Sequence, residues 1–534
     1  MSLLEVDGLT IALPSGGERA EAVSDVSFTL DRGEILCIVG ESGSGKSVCA
    51  SAIVGLLPPG LSRRAGKIGF EGRDLARLPE AALRAIRGAR IGMIFQEPMT
   101  ALNPLLRVGE QIAEVLEVHG RFDGNRRRVL ELLEAVNLPD PVRLERTYPH
   151  LLSGGQRQRV MIAMALALEP VILLADEPTT ALDVTTQMQI LELIRDIQRR
   201  RGTGVLFITH DFGVVAEIAD RVAVMQNGVI VEQGSAAEVL NAPRHPYTRA
   251  LIAAVPNRAP PARPVGEGGM VLEAIGVRKT FRRGSSLLHS GTPVPAIVDA
   301  DFSLTRGETL GLVGESGSGK STLARAIVRL VRLEQGKIRF DGTDLCRLGR
   351  ADWKPFRKRI QMVFQDPFAS LNPRRRVGDI IAEGPVTHGV PRRAARMQAA
   401  ELLRLVKLDP GAASRFPHEF SGGQRQRIGV ARALAMEPEL LIADEPVSAL
   451  DVSVQAQILA LLEELRERLG LTMLFITHDL RVAAQICDRV AVMQRGSIVE
   501  VGRTAEVFAA PRHEYTRTLL ASIPGRHWTP PEAT

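Results

Sequence analysis

Two kinds of segment alternate along this chain, and the alternation is written twice. Ile35-Leu36-Cys37-Ile38-Val39, Val171-Ile172-Leu173-Leu174 and Val205-Leu206-Phe207-Ile208-Thr209 in the first half, and Leu310-Gly311-Leu312-Val313 in the second, are short and apolar throughout. Unbroken apolar runs of this length are the pattern of strands buried on both faces of a parallel sheet. Leu3 to Ile11 and Val271 to Val277 open the halves as further strand-like segments, and Ser51-Ala52-Ile53-Val54 and Leu323-Ala324-Arg325-Ala326 read as helix. Between Gln96 and Ser153 the pattern turns mostly helical, with 111–118 and 127–136 as candidates. Each half is therefore expected to be a doubly wound α/β core with a helical insertion. The longest apolar stretch, Val160 to Ala175, is broken by Glu169-Pro170. It falls short of the ~20 residues needed to span a bilayer, so a membrane role requires a partner.

Internal repetition fixes the domain organisation. Leu152-Ser153-Gly154-Gly155-Gln156-Arg157-Gln158-Arg159 returns as Phe420-Ser421-Gly422-Gly423-Gln424-Arg425-Gln426-Arg427, and the same offset, 421 − 153 = 268, relates Glu177 to Glu445, Asp183 to Asp451 and His210 to His478. The expected domains are 1–255 and 270–525, with a tail at 526–534. The Pro- and Gly-rich segment 256–269 between them has no apolar face to bury. Fully extended, that linker reaches about 45 Å, so the halves are expected to work close together.

Composition changes this picture little. Of 534 residues 45% are apolar and 24% charged, as in ordinary globular protein. Lys and Arg number 67 against 61 Asp and Glu, a net +6 that gives no reason to expect a nucleic-acid partner. The arginine runs 126–128, 199–201 and 374–376 read as solvated surface. Cys37, Cys49, Cys346 and Cys487 are scattered without metal-ligand spacing and are expected to be reduced thiols of a cytoplasmic protein, with Cys37 in the core. Met1 to Asp7 lacks the basic and long apolar regions of a signal peptide.

The chemistry lies in an octapeptide present in identical copies, Gly40-Glu41-Ser42-Gly43-Ser44-Gly45-Lys46-Ser47 and Gly314-Glu315-Ser316-Gly317-Ser318-Gly319-Lys320-Ser321. Each fits G-x-x-x-x-G-K-[ST], a phosphate-binding loop, and each follows a strand-like run and opens a helix-like one. The glycines let backbone N–H groups turn inward around a phosphate, and the helix N-terminus adds a favourable field. Lys46 and Lys320 can reach the β- and γ-phosphates of a nucleotide, and Ser47 and Ser321 can ligate Mg²⁺. Asp176 and Asp444 end apolar strands, where a carboxylate can hold Mg²⁺. Glu177 and Glu445 follow them, placed to polarise an attacking water as general bases. His210 and His478 follow Phe-Ile-Thr at another strand end; a lone histidine there is more often structural, but its place after the Asp-Glu pair, repeated in both halves, favours an imidazole beside a developing phosphoryl charge. Ser153 and Ser421 are candidate N-caps, with Gly154-Gly155 and Gly422-Gly423 opening helices whose free N–H groups can meet a γ-phosphate.

A phosphate loop alone leaves small GTPases and kinases open. With the signatures Ser153-Gly154-Gly155-Gln156 and Ser421-Gly422-Gly423-Gln424, both halves resemble the nucleotide-binding domains of ABC transporters over almost the whole chain. The resemblance implies an α/β fold of two tandem P-loop NTPase domains, each with a mainly parallel sheet core, an antiparallel β subdomain and a helical insertion. It implies ATP and Mg²⁺ as ligands, and head-to-tail pairing. One site would combine Lys46, Ser47, Gln96, Asp176, Glu177 and His210 with Ser421, Gly422 and Gly423. The other would combine Lys320, Ser321, Gln365, Asp444, Glu445 and His478 with Ser153, Gly154 and Gly155. In the family Gln96 and Gln365 sense Mg²⁺ and water, and the segments Ala181-Leu182-Asp183 and Ala449-Leu450-Asp451 resemble the loop that crosses to the opposite site. Neither half lacks a catalytic residue, so both are expected to hydrolyse ATP. Phe281 fits the aromatic residue that stacks on adenine; its counterpart, 281 − 268 = 13, is Leu13, which implies weaker stacking there.

Two further stretches resemble the oligopeptide and dipeptide importer branch. Phe95-Gln96-Glu97-Pro98-Met99-Thr100-Ala101-Leu102-Asn103-Pro104 is echoed at 364–373, and Pro243-Arg244-His245-Pro246-Tyr247-Thr248-Arg249 is echoed as Pro511-Arg512-His513-Glu514-Tyr515-Thr516-Arg517. This resemblance implies the energising subunit of a bacterial importer for peptides or peptide-like compounds, at the cytoplasmic face of the inner membrane. Its partners would be two integral membrane permeases and, through them, a periplasmic or extracellular substrate-binding protein, with no direct contact with the transported substrate. Several members of the branch carry a cysteine-rich extension for an iron–sulfur cluster. Gly525-Arg526-His527-Trp528 and the six residues from 529 to 534 hold no cysteine, and no cluster is expected. The alternatives are a translation-factor ABC protein, which the short proline-rich linker disfavours, and a drug exporter ATPase, which the Tyr-Thr-Arg segments disfavour.

Overall fold

The computed structural model describes residues 2–14, 19–121, 125–180, 182–256, 268–283, 292–448 and 450–531. Most of the expected linker, together with Ala181, Ala449 and the last three residues of the tail, lies outside them. The chain divides into two compact units, one built around Met1–Val255 and the other around Pro256–Leu450 and Val454–Ser522.

Among the described residues of the first unit the strands run β1 (Leu4–Ala12), β2 (Glu21–Leu30), β3 (Ile35–Val39), β4 (Ser62–Phe70), β5 (Arg73–Asp74), β6 (Ile91–Ile94), β7 (Ile172–Asp176), β8 (Gly204–Thr209), β9 (Arg221–Gln226) and β10 (Val229–Ser235). They form two sheets. One, in the order β2-β1-β4-β5, is antiparallel. The other, in the order β10-β9-β3-β8-β7-β6, is parallel apart from its β10 edge.

The apolar runs explain the layering. In β3, Ile35, Cys37 and Val39 enter one core with Ile112, Leu116 and Leu133 of the helical insertion. Leu36 and Ile38 point the other way, into a core shared with Leu4, Val26 and Ile53. A strand that feeds two cores has little room for polar positions, and β3, β7 and β8 are buried along their whole length, with Asp176 and Thr209 standing at the carboxyl ends of β7 and β8. The insertion between β6 and β7 carries helices Val108–Val118, Asn125–Ala135, Pro141–Glu145 and Gly154–Leu166.

The second unit repeats the plan with β11 (Met270–Arg283), β12 (Thr292–Thr305), β13 (Thr309–Val313), β14 (Gln335–Phe340), β15 (Thr343–Asp344), β16 (Ile360–Val363), β17 (Leu440–Asp444), β18 (Thr472–Thr477), β19 (Arg489–Gln494) and β20 (Ser497–Arg503). Here the two sheets join into one ten-stranded order, β15-β14-β11-β12-β20-β19-β13-β18-β17-β16. The join is one residue pair, Asp299 with Ser497, where the amides of Val298 and Asp299 both donate to the Gly496 carbonyl. The first unit makes the related bond from the Ser24 amide to the Gly228 carbonyl, 2.8 Å, and its sheets stay separate. Among the described residues no helix is long and apolar enough to cross a membrane.

Candidate functional site

In each unit the three central parallel strands end side by side, so the residues that follow them converge. In the first unit the phosphate loop follows β3, Asp176 ends β7, and His210 comes directly after β8. Parallel pairing sets Val39 against Thr209 and Asp176 against Ile208. The carboxyl ends of parallel strands are where open α/β sheets take ligands.

The loop needs its glycines. Gly40 has φ of 155°, and a Cβ there would sit 2.2 Å from the Met225 carbonyl oxygen; Gly45 has φ of 105° and would meet the Ala22 carbonyl oxygen at 2.6 Å. Gly314 and Gly319 repeat both restrictions, against Met493 and Ala296. From the helix that begins at Lys46, the ammonium folds back to donate to the carbonyls of Gly40 (2.8 Å) and Glu41 (2.9 Å). Lys320 does the same to Gly314 (2.7 Å) and Glu315 (2.8 Å). The Ser47 hydroxyl donates to Asp176 Oδ1, and Ser321 to Asp444 Oδ1, both at 2.9 Å.

Glu177 adopts φ of 46° and Glu445 φ of 47°, left-handed backbone that costs of order 1–3 kcal/mol in a non-glycine residue. Each backbone amide still donates to the neighbouring strand, Glu177 to Ile208 and Glu445 to Ile476. The turn therefore re-aims the side chain without breaking the sheet. In its new direction the Glu177 carboxylate accepts from Gln96 Nε2 (3.1 Å) and Thr180 Oγ1 (2.9 Å), and lies 3.3 Å from His210 Nδ1. Glu445 accepts from Gln365 Nε2 at 2.8 Å and lies 3.4 Å from His478 Nδ1.

These contacts separate two adjacent carboxylates electrostatically. Burial pushes the Asp176 carboxyl up to about 6 against the pull of the Ser47 hydrogen bond. Burial works on Glu177 too, but the His210 imidazole 3.3 Å away, the Thr180 hydroxyl and the Lys46 ammonium outweigh it and bring Glu177 down to about 2. His210 in turn is held above its ordinary value by Glu177, despite its burial. In the second unit Asp444 is likewise raised by burial, Glu445 is lowered by His478 against its burial, and His478 is raised by Glu445. Burial lowers the Lys46 ammonium, with Glu177 and Asp176 opposing. Asp444 Oδ2 is buried without a hydrogen-bond partner among the described residues. An orphaned carboxylate oxygen beside a serine hydroxyl has the chemistry of a cation ligand.

Ser153 and Ser421 are N-caps, as their positions predict, of helices Gly154–Leu166 and Gly422–Leu434. Both use a reciprocal capping box: the serine hydroxyl accepts from the Gln156 or Gln424 amide, and that glutamine's Oε1 accepts the serine amide at 3.0 Å. Gln156 and Gln424 thus brace the turn. A Cβ on Gly155 would meet Thr186 Cγ2 at 2.7 Å, and one on Gly423 would meet Val454 Cγ1 at 2.3 Å. Asp183 caps the helix Val184–Arg201 by accepting from the Thr186 amide at 2.9 Å. Phe281 lies exposed at the end of β11 with the Lys279 ammonium 5.3 Å from its ring centroid. Strand register pairs Phe281 with Val294, and Leu13 bonds to Ala20 in the same relation, but Leu13 packs against the core.

Two contacts are not anticipated by the sequence reading. Thr180 makes one; its hydroxyl three residues after Glu177 is the available signal. The other belongs to Tyr247, whose hydroxyl oxygen accepts the Glu41 amide at 3.2 Å, an interaction repeated by Tyr515 with the Glu315 amide at 3.1 Å. The sequence signal is the repeated Pro-Arg-His-x-Tyr-Thr-Arg, which carries a family resemblance but announces no chemistry of its own.

A family model described as ABC transporter matches residues 23–180 and 297–448, and one described as oligopeptide/dipeptide transporter, C-terminal region, matches 231–274 and 499–529. The chain is 49% identical over 528 residues to the peptidoglycan transport ATP-binding protein YejF of Agrobacterium fabrum strain C58, covering 97% of this chain and 96% of that one. It is 48% identical over 557 residues to the glutathione import ATP-binding protein GsiA of Salmonella typhimurium strain LT2, covering 98% and 89%. It is 47% identical over 562 residues to the protein of the same name from Escherichia coli K12, covering 98% and 90%. The chain belongs to the ABC transporter family, as an ATP-binding and ATP-hydrolysing protein with two cassettes on one polypeptide.

Proposed function

We propose that this protein energises a bacterial importer for peptides or peptide-like compounds through two membrane permeases supplied by a substrate-binding protein. The observation that carries this reading is that an oligopeptide/dipeptide transporter C-terminal region follows both cassettes, on a chain alike over nearly its whole length to import ATP-binding proteins. The place of action is the cytoplasmic face of the inner membrane, reached through the permeases.

Each group of residues has its own part in the work. Amides within the loops 40–47 and 314–321, those nearer the lysines, cradle ATP phosphates, with Lys46 and Lys320 adding positive charge. Phe281 stacks on adenine. The signature residues 153–156 and 421–424 offer helix N-terminal amides to phosphate. The hydroxyl and carboxylate pairs Ser47 with Asp176 and Ser321 with Asp444 would hold Mg²⁺, an ion that takes one or two carboxylates and completes its shell with phosphates and water, with Gln96 and Gln365 as further candidate ligands. When bound, Mg²⁺ neutralises charge on the phosphate oxygens. Glu177 and Glu445 orient the attacking water and accept its proton. His210 and His478 hold those carboxylates from the side and donate toward the phosphoryl oxygens, and Gln96 and Gln365 hold them from the other.

The test uses the double variant Glu177→Gln, Glu445→Gln, tagged and purified from detergent-solubilised membranes of the native host, with mass spectrometry of what accompanies it. Two polytopic permeases in equal amount are expected. Ribosomes without a permease would overturn the importer reading in favour of a translation factor.

A further inference from the structure

A chain of hydrogen bonds leads from the last strand of each unit to the phosphate loop. In the first unit Glu232, on β10, accepts the amides of Arg244 (2.7 Å) and His245 (3.1 Å). His245 caps the helix Pro246–Ala253, its Nδ1 accepting the Tyr247 amide at 3.2 Å. The Tyr247 hydroxyl then accepts the Glu41 amide and donates to the Glu41 carboxylate at 3.3 Å. In the second unit Glu500, on β20, accepts from Arg512 (2.8 Å) and His513 (3.0 Å), His513 Nδ1 accepts the Tyr515 amide at 3.1 Å, and Tyr515 accepts the Glu315 amide. Every link uses a residue of the repeated segment. The peptide group the tyrosine reaches belongs to the residue whose carbonyl takes the lysine ammonium, so Glu41 is held at its N–H by Tyr247 and at its C=O by Lys46. Glu315 is held in the same way by Tyr515 and Lys320.

We propose that Tyr247 and Tyr515 are positioning residues for ATP binding, which fix the first turn of each phosphate loop and tie its geometry to the C-terminal region that follows each cassette. This deepens the role proposed above for the loops and rests on it. The hydroxyl occupies the second amide of the loop, leaving phosphate to the amides nearer Lys46 and Lys320. It also keeps the lysine's carbonyl partners at fixed distance, so the ammonium is aimed before nucleotide arrives. Preorganisation of this kind appears in affinity, because ordering the loop is then no longer charged against binding. Burial, set against the Glu41 amide bond, pushes the Tyr247 phenol up to about 12, and the hydroxyl therefore keeps its proton for the Glu41 carboxylate.

The test is Tyr247→Phe and Tyr515→Phe in the full-length protein, singly and together. Phenylalanine keeps the ring and its packing and removes only the hydroxyl. The expected results are a three- to tenfold weaker MgATP Kd at the altered half, KM rising more than kcat falls, and amide exchange at Glu41 or Glu315 faster by at least tenfold. Exchange within the helices Lys46–Ile53 and Lys320–Ile327 should hold, as should Tm. Unchanged affinity and unchanged exchange would overturn the proposal. So would loosening that spreads through those helices, since that marks a packing role alone. Lys46→Ala with Lys320→Ala serves as the control: if it binds MgATP as the wild type does, the loops are not the ATP sites and the function proposed for them falls first.

Discussion

Thr180 and Ser448 stand three residues after their respective glutamates and do different things. The Thr180 hydroxyl donates to the Glu177 carboxylate, whereas the Ser448 hydroxyl turns to the Glu445 backbone carbonyl at 3.0 Å. The two units diverge elsewhere as well. Phe281 is an exposed ring where Leu13 is half-buried and packs against the core, and Glu439 joins an ion cluster where the first unit has Val171. Meanwhile the loop, the Asp-Glu pair, the histidine and the glutamine are identical in the two units and sit in matching geometry. Duplication has thus kept the groups proposed to meet phosphate, metal and attacking water, and has let the proposed adenine platform and the supports around it change. The supports are where unequal affinity or turnover between the halves would arise.

Removing both bases breaks the comparison most severely. Glu177→Gln with Glu445→Gln is expected to lower ATP turnover by about 10²–10⁴-fold, the usual worth of a general base, while nucleotide still binds. Single-turnover rates of the two single variants then sharpen it. Equal losses would mean that the different supports do not reach the chemical step, and unequal ones would assign the difference to the base.

Thr180→Val probes that support directly. A hydrogen bond to a charged group is worth about 1.5–3 kcal/mol, and only the part that orients Glu177 in the transition state reaches the rate, so the loss is expected to cost up to about tenfold in kcat. Ser448→Ala, which leaves the Glu445 carboxylate contacts in place, should stay within twofold. Matching effects would show that the two hydroxyls do the same work in the turning-over enzyme.

Base stacking comes next. Phe281→Leu removes an aromatic platform, and with stacking worth about 1–3 kcal/mol the ATP Kd of the second unit is expected to rise about fivefold or more, toward that of the first. The reverse change, Leu13→Phe, places extra volume against a packed core and is expected to lower Tm by a few degrees rather than to tighten binding, since overpacking costs about 1–3 kcal/mol. Equilibrium binding of a fluorescent ATP analogue, with a thermal melt of each variant, checks both.

What can be read from the chain and what cannot divides along the same line. The phosphate loop, the serine caps and the apolar strands are legible because each requirement is met by neighbours in sequence. Gly40 and Gly45 are where a Cβ would strike backbone, and Ser153 lies three residues from the glutamine that completes its box. The position of Glu177 after a strand is legible, but its left-handed turn is not, because glutamate carries no turn signal. Tyr247 escapes for a different reason: it meets Glu41 across 206 residues, and no local pattern announces so distant a bond. The single-pair join of the two sheets at Asp299 and Ser497 is likewise a product of packing.

The smallest expected effect separates the units by acid stability. Glu439, just before β17, accepts from Arg359 and from Arg306 (2.9 Å), and both arginines also reach Asp341. The Arg359 hydrogen bond is the main cause that brings the Glu439 carboxyl from its usual 4.5 down to about 2, with burial opposing and Arg306 assisting. The first unit has Arg90 and Arg32 on Glu71 alone, with Val171 in the place of Glu439. A carboxyl with a depressed folded pKa stabilises the fold fully above its unfolded pKa, progressively less as pH falls from about 4.5 toward 2, and not at all below. Solvent screens the cluster, since Glu439 and its arginines remain about a third or more exposed, and leaves about 1 kcal/mol or less. Amide protection factors for β7 and β17, corrected for intrinsic exchange and followed from pH 6 to pH 3, are therefore expected to part below 4.5, with β17 losing more. Glu439→Gln should abolish that separation by lowering β17 protection already at pH 6. If the variant instead keeps the wild-type profile, the cluster holds charge in place without stabilising the strand beside it, and the units differ in acid for reasons outside this pair of positions.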